Sequence, residues 1–206
     1  MKIIGVVNQK GGTGKTTIST CLAVAFSKQG LKTTIFDLDP QATACFWSDT
    51  RKLRDISVVS VQPVRMRHMI NTECDSGTNI IIIDGAAIQR EIAYDVAQVA
   101  DFVLIPTKPA VFDITSMQET IKALKYHRTN FSILLNMISP NGKEEIDVYD
   151  VAKVLEAKIS DISIGNRKDF FRAQSVGLAV QEYNPEGKAA LEILQLFEFV
   201  INNLKN

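Results

Sequence analysis

The chain predicts an α/β fold: a doubly wound, mostly parallel sheet with helices on both faces. Three observations carry that expectation. Short apolar runs alternate with segments of helical periodicity along all 206 residues. Two of the runs, Ile80-Ile81-Ile82-Ile83 and Val103-Leu104-Ile105, are apolar at every position, as strands buried on both faces are. A glycine-rich turn, Gly11-Gly12-Thr13-Gly14, separates the first apolar run from the first helical segment, giving a strand–loop–helix order.

The elements follow in sequence. Ile3-Ile4-Gly5-Val6-Val7 reads as a strand near 2–8, and the segment after the glycines as a helix near 15–29. A strand near 32–37 ends in Phe36-Asp37. The helix near 41–53 is introduced by Asp39-Pro40, where Asp39 fits an N-cap and Pro40 the first helical position. Strands near 56–61, 79–84, 102–107, 131–137 and 160–164 alternate with helices near 64–73 (short), 89–100, 114–127, 145–157 and 167–175. Asp113 suits a cap for the helix at Ile114. Residues 186–204 form a final amphipathic helix whose polar face is Glu192, Gln195, Glu198, Asn202 and Asn203. No repeat, low-complexity tract or linker interrupts this order. Residues 1–206 therefore read as one domain with room for a sizeable core. Residues 1–8 already supply the first strand, so no N-terminal helix-turn-helix is expected.

Composition narrows the class. Lys+Arg and Asp+Glu both number 23, so no overall charge attracts nucleic acid, and any contact with it needs a local patch. Cys21, Cys45 and Cys74 are scattered without metal-ligand spacing and read as reduced thiols; His68 and His127 have no metal-like partner spacing. No signal peptide and no bilayer-length apolar run is present. The final helix lacks the basic face that anionic lipid attracts, so a cytoplasmic protein without a membrane partner is expected.

The run Lys10-Gly11-Gly12-Thr13-Gly14-Lys15-Thr16-Thr17 carries the chemistry. Glycines let successive backbone N–H groups converge on phosphate oxygens, and the helix start adds its positive dipole end. Lys15 supplies charge for the β/γ-phosphates, and the Thr16 hydroxyl is placed to ligate Mg²⁺. A dinucleotide fingerprint fails because Thr17 stands where that motif wants Gly or Ala. Asp84 closes the all-isoleucine run, where a strand-end carboxylate holds Mg²⁺ through water.

The second lysine, Lys10, makes this motif resemble the deviant Walker A loop of the ParA/MinD family of dimeric ATPases. The resemblance extends along the whole chain and implies ATP with Mg²⁺ as the ligand. It implies an ATP-dependent homodimer in which Lys10 reaches the other subunit's phosphates. Asp37-Leu38-Asp39-Pro40-Gln41 is similar to the family's Asp-x-Asp-Pro-Gln, which gives Asp39 the positioning of the attacking water and places Asp37 near the metal. Gly85-Ala86-Ala87 resembles the ParF-like small plasmid ATPases, with the Gly85 N–H approaching the γ-phosphate. Ile105-Pro106-Thr107-Lys108-Pro109 and Phe112-Asp113 resemble a dimer-contact region. Asn136 and Pro185 fall where relatives hold adenine.

Three basic groups stand out: Arg167, Lys168 and Arg172; Lys122, Lys125 and Arg128; and Arg51, Lys52 and Arg54. Such groups are usually solvated faces, but the first lies toward the C-terminal third, where the resemblance places non-specific DNA binding. The function implied is DNA segregation on the nucleoid, driven by hydrolysis that a small centromere-binding (ParB/ParG-like) adaptor stimulates with an arginine-bearing arm. The same machinery serves ParA-like positioning of carboxysomes or chemotaxis clusters. A MinD-like membrane regulator fits the final helix less well. An iron-protein-like electron-transfer ATPase needs paired cluster cysteines that this chain does not supply.

Overall fold

The computed structural model describes residues 1–86, 90–110, 117–139 and 145–205. Seven strands form one sheet in the order β3-β2-β4-β1-β5-β6-β7, and every pairing is parallel. They are β1 (Lys2–Val6), β2 (Thr33–Asp37), β3 (Ser57–Ser60), β4 (Ile80–Asp84), β5 (Phe102–Thr107), β6 (Asn130–Ile138) and β7 (Ile159–Gly165). The helices are α1 (Lys15–Lys28), α2 (Thr43–Thr50), α3 (Met66–Asp75), α4 (Arg90–Ala97), α5 (Gln118–His127), α6 (Glu145–Val154), α7 (Lys168–Gln174), α8 (Val180–Tyr183) and α9 (Lys188–Leu204).

The central strands are buried along their whole length because each face meets its own core. Ile80 and Ile82 point into one core with Ile4, Val6, Phe102 and Leu104. The intervening Ile81 and Ile83 point into the other with Ile3, Val103 and Ile105. Strand periodicity of two thus sends alternate residues of one apolar run to opposite faces. The first core is covered by α1, α2, α7, α8 and α9, the second by α3 to α6. In α9, Ala189, Ala190, Ile193, Leu196, Phe197 and Val200 are buried, as a packed amphipathic helix requires. Phe197 meets Phe26 of α1 edge-to-face at 4.9 Å. Among the described residues no helix is long and apolar enough to cross a membrane.

Three expectations are corrected. The second helix begins at Thr43, not 41, and ends at Thr50. Pro40 therefore lies before it, and the cap is Asp37, whose Oδ2 accepts the N–H groups of Ala44 at 2.9 Å and Cys45 at 3.1 Å. Ala42, at φ 49°, turns the chain between the two. The helix after β6 stops at Val154, and Glu156 reverses the chain at φ 48°. Residues 180–183 form a short helix with no strong periodic signal in the sequence. The expected starts at 89 and 114, and Ala87, Phe112 and Asp113, lie outside the described residues.

Candidate functional site

Because all seven strands are parallel, their C-terminal ends share one edge of the sheet. β1 sits at the centre with β4 and β5 on either side, so the chain leaves it toward both halves. The loop from Asn8 to Gly14 emerges there. Its entry is braced by Asn8, which donates from Nδ2 to the carbonyl of Pro106 at 2.7 Å and accepts the N–H of Lys10 on Oδ1 at 3.0 Å. Gly12 and Gly14 have φ 69° and 90°, open to residues without a Cβ.

Lys15 begins α1 and is almost fully buried beneath the loop; its Nζ donates to the carbonyl of Lys10 at 3.2 Å. Burial lowers its pKa, while the charges of Asp84 and Asp39 oppose that shift. The next residue, Thr16, donates from Oγ1 to Asp84 Oδ2 at 2.7 Å, and about one turn on Ser19 donates from Oγ to Asp84 Oδ1 at 3.0 Å. Burial pushes the Asp84 carboxyl up to about 7, with Asp37 adding to the shift and Thr16, Ser19 and Lys15 opposing it. Ser19 is a member of this cluster that the sequence reading missed. Its signal was the three-residue spacing from Thr16, which places both hydroxyls on one face of α1.

Asp37 and Asp84 are partners across the β2/β4 register. Asp37 is buried, and its carboxylate accepts the N–H groups of Asp39 at 3.1 Å, Ala44 and Cys45. It thus ties the second strand to α2 beside Asp84. Asp39 is half-buried, and its Oδ1 accepts the Gln41 N–H at 2.9 Å. Lys10 is exposed.

The hard oxygen donors Thr16 and Asp84 fit Mg²⁺. Among the described residues no group of three or more His, Cys, Asp or Glu side chains can hold a metal. A cation here would thus take its remaining ligands from phosphates and water, as Mg²⁺ does.

A cavity of about 360 Å³ opens beside the loop, between Gly14, Thr16 and Thr17 on one side and Gly165, Asn166, Arg167, Phe170 and Phe171 on the other. Asn136 forms part of its wall, but both ends of its amide are occupied. Nδ2 donates to the Thr13 carbonyl at 2.7 Å, and Oδ1 accepts the Met137 N–H at 2.9 Å. A Cβ on Gly14 would stand 2.2 Å from that Nδ2, so Asn136 braces the phosphate loop rather than pointing a free amide into the cavity.

Other sequence-predicted residues are placed differently. Pro185 lines a separate groove between α1 and α9, with Lys28, Gln181 and Leu194, and does not reach the cavity. The Gly85 N–H donates to the Val6 carbonyl at 3.0 Å, and a Cβ there would strike Val7 Cγ1 at 2.7 Å. Glycine is thus required at 85 for strand packing, not to face a phosphate. Arg167 is engaged by Glu192 of α9, its Nε lying 3.0 and 3.1 Å from the two carboxylate oxygens and its Nη2 also bonded. Lys122 pairs with Glu119 and Lys125 with Glu156, so that stripe is largely a balanced face. Arg51 is not solvated at all. It is buried over Trp47, forked onto both Asp55 and Glu182, and bonded to the Gly177 carbonyl at 3.1 Å.

A parallel sheet with a glycine-rich loop at its central strand, a buried lysine and a Thr–Asp pair defines a P-loop nucleotide-binding domain. The chain belongs to the CobQ/CobB/MinD/ParA nucleotide binding domain family, which matches residues 4–180. It is 26% identical over 200 residues to "Maintenance of carboxysome distribution protein A" of Gloeobacter kilaueensis, covering 96% of this chain and 85% of the relative. It is 23% identical over 150 residues to "Protein ParA" of Rhizobium radiobacter, covering 68% of this chain and 66% of the relative. The fold matches the cell division ATPase MinD of Pyrococcus furiosus with a TM-score of 0.77, at 21% identity and 98% coverage of each chain.

Proposed function

We propose that this protein is an ATPase that dimerises around Mg²⁺·ATP, binds DNA without sequence preference, and is released when a partner stimulates hydrolysis. The observation that carries this reading is the bond from Thr16 to the buried Asp84 at the start of α1, beside a glycine-rich loop bracketed by two lysines, Lys10 and Lys15. Gly11 to Thr17 cradle the phosphates, with Lys15 as the charge beneath them. Thr16 and Asp84 hold Mg²⁺, which neutralises charge on the β- and γ-phosphates when bound. Asp39, near enough for its charge to act on Lys15, positions the attacking water. Lys10 acts on the nucleotide of the second subunit. Asp37 holds α2 and, with it, the Asp39 turn, rather than touching the cation. The cavity beyond Asn136 takes the base.

With Arg167 committed to Glu192, Lys168 and Arg172 of α7 remain as the phosphate-facing cations, four in a dimer. The motion that such a cycle drives is segregation of plasmid DNA through a small centromere-binding adaptor. A second reading keeps the cycle and changes the cargo to a protein assembly. The carboxysome-distribution relative favours it, since its similarity spans 96% of this chain.

Fluorescence anisotropy on a labelled duplex tests the DNA-binding step. In the presence of a non-hydrolysable ATP analogue, affinity is expected to fall with salt at a log–log slope of about −3.6, from about −0.9 per phosphate neutralised. Arg172→Ala, which alters both subunits, flattens it by about 1.8. An unchanged slope in Arg172→Ala moves the surface off α7, and no analogue-dependent binding at low salt removes DNA from the mechanism.

A further inference from the structure

Helix α7 presents a feature that duplex binding does not use. Phe171 is 79% exposed, and no aromatic ring among the described residues is more so. It is flanked by Lys168 three residues before and Arg172 one residue after, so the three side chains share one face of a single helical turn. Neither cation is ion-paired among the described residues. With Asn166 and Arg167 they line an open concavity of about 460 Å³ to which no carboxylate side chain contributes.

A single exposed apolar side chain is ordinary at a protein surface, but this ring shares a concavity with the cations Lys168 and Arg172. Those cations identify the chemistry of what covers it as anionic. Phosphates on a duplex satisfy the cations but not the ring, because the bases of a duplex are already stacked on each other inside it. A single strand satisfies both: its backbone reaches the cations, and each unstacked base offers a π-face to the ring. Lys168 and Arg172 are separated by about 6 Å along the helix axis, so adjacent phosphates of one strand can be bridged across the phenyl ring. The Asn166 amide beside it is a donor and acceptor for a base edge.

We propose that Lys168, Phe171 and Arg172 form a site for single-stranded DNA, with phosphates on the two cations and one base stacked on the Phe171 ring. This rests on the reading of α7 as the DNA-facing helix and goes beyond it in naming the strandedness of the ligand. The site reads stacking and backbone, so it takes any unpaired stretch, a frayed end or an opened segment, regardless of sequence.

The test compares a fluorescein-labelled fifteen-residue oligothymidylate with a fifteen-base-pair duplex, using the full chain with a non-hydrolysable ATP analogue at one salt concentration. Phe171→Ala is expected to weaken oligothymidylate binding about tenfold or more while changing duplex binding less than twofold, and Phe171→Trp to retain it. The ring is solvent-exposed, so both variants should melt as the parent does, and a thermal melt checks this. Equal losses on strand and duplex, or no loss on either, overturn the proposal. A loss matched by an equal drop in affinity for a fluorescent ATP analogue also overturns it, because the ring, which borders the P-loop cavity as well, then stacks on the nucleotide. Failure of the underlying reading looks different. If the parent binds neither DNA, α7 is not a DNA surface. If duplex binding is lost in Lys168→Ala and Arg172→Ala while Phe171→Ala is neutral on both probes, the surface stands and its preference for single strands falls.

Discussion

Arg51→Met tests the reasoning about buried charge most severely. The Arg51 side chain is 1% exposed and is shared between Glu182, 11% exposed, and Asp55, 36% exposed. It joins the end of α2 to the turn before α8, and Trp47 adds to the joint through its Nε1 bond to the Leu178 carbonyl at 3.2 Å. Methionine keeps much of the packing over Trp47 but leaves two carboxylates without their cation. Breaking a buried pair costs about 3–5 kcal/mol. Asp55 can rehydrate where it stands, so its share is discounted and the low end, about 3 kcal/mol, is expected. In a chain of this length that corresponds to a fall in Tm of about 6–12 °C, at about 2–4 °C per kcal/mol. Adding Glu182→Gln removes the stranded charge and should recover part of the loss. Burial raises the Asp55 carboxyl, but the hydrogen bonds and charge of Arg51 outweigh it and hold the group below its ordinary value. Stability from that pair is thus present above the unfolded carboxyl pKa and lost as pH falls through the folded one, so the penalty of Arg51→Met shrinks in acid. Urea unfolding at pH 7 and pH 3 measures both. A loss below about 1 kcal/mol at pH 7, or one that does not shrink in acid, refutes the assignment of Arg51 as a buried structural cation.

Two further outcomes follow from the site. Burial pushes the Asp84 carboxyl up to about 7, so the stability it lends is full below the unfolded carboxyl pKa and is lost as pH rises through 7. Asp84→Asn should flatten the fall in Tm between pH 5 and pH 8 while abolishing Mg²⁺-dependent turnover; a parent-like pH profile in the variant contradicts this. Lys10→Ala should bind ADP almost normally yet stay monomeric with an ATP analogue, as sizing chromatography would show, and a stable dimer would return Lys10 to the status of a solvated loop charge.

Most of the fold was legible because strand burial on both faces leaves an unambiguous mark. Ile80 to Ile83 can be apolar throughout only if two cores meet them, and two cores do. The meeting of Thr16 with Asp84 beside the glycine-rich loop was legible because both stand at fixed places, one at the start of a helix and the other at the end of a buried strand. What escaped was set by contacts distant in sequence. The start of α2 was misplaced because local propensity favours Asp39-Pro40, whereas the cap comes from Asp37 at the end of the preceding strand. The basic groups looked alike as sequence, yet Glu192 lies 25 residues beyond Arg167 and Glu182 lies 131 beyond Arg51. Charge runs do not reveal their acids until the chain has folded. Pro185 shows the converse: a motif match placed it at the base, whereas the fold packs it between α1 and α9, away from the cavity beside the glycine-rich loop.

The central claim is that two subunits close on ATP and that Asp39 then drives hydrolysis. Multi-angle light scattering of Asp39→Ala with Mg²⁺·ATP tests it most directly. That variant keeps Lys10, Lys15, Thr16 and Asp84 and lacks only the carboxylate assigned to the attacking water, so it should accumulate at twice the mass of the chain and persist there while the parent returns to monomer. A monomer mass for Asp39→Ala at saturating ATP, or turnover equal to the parent's, would contradict it.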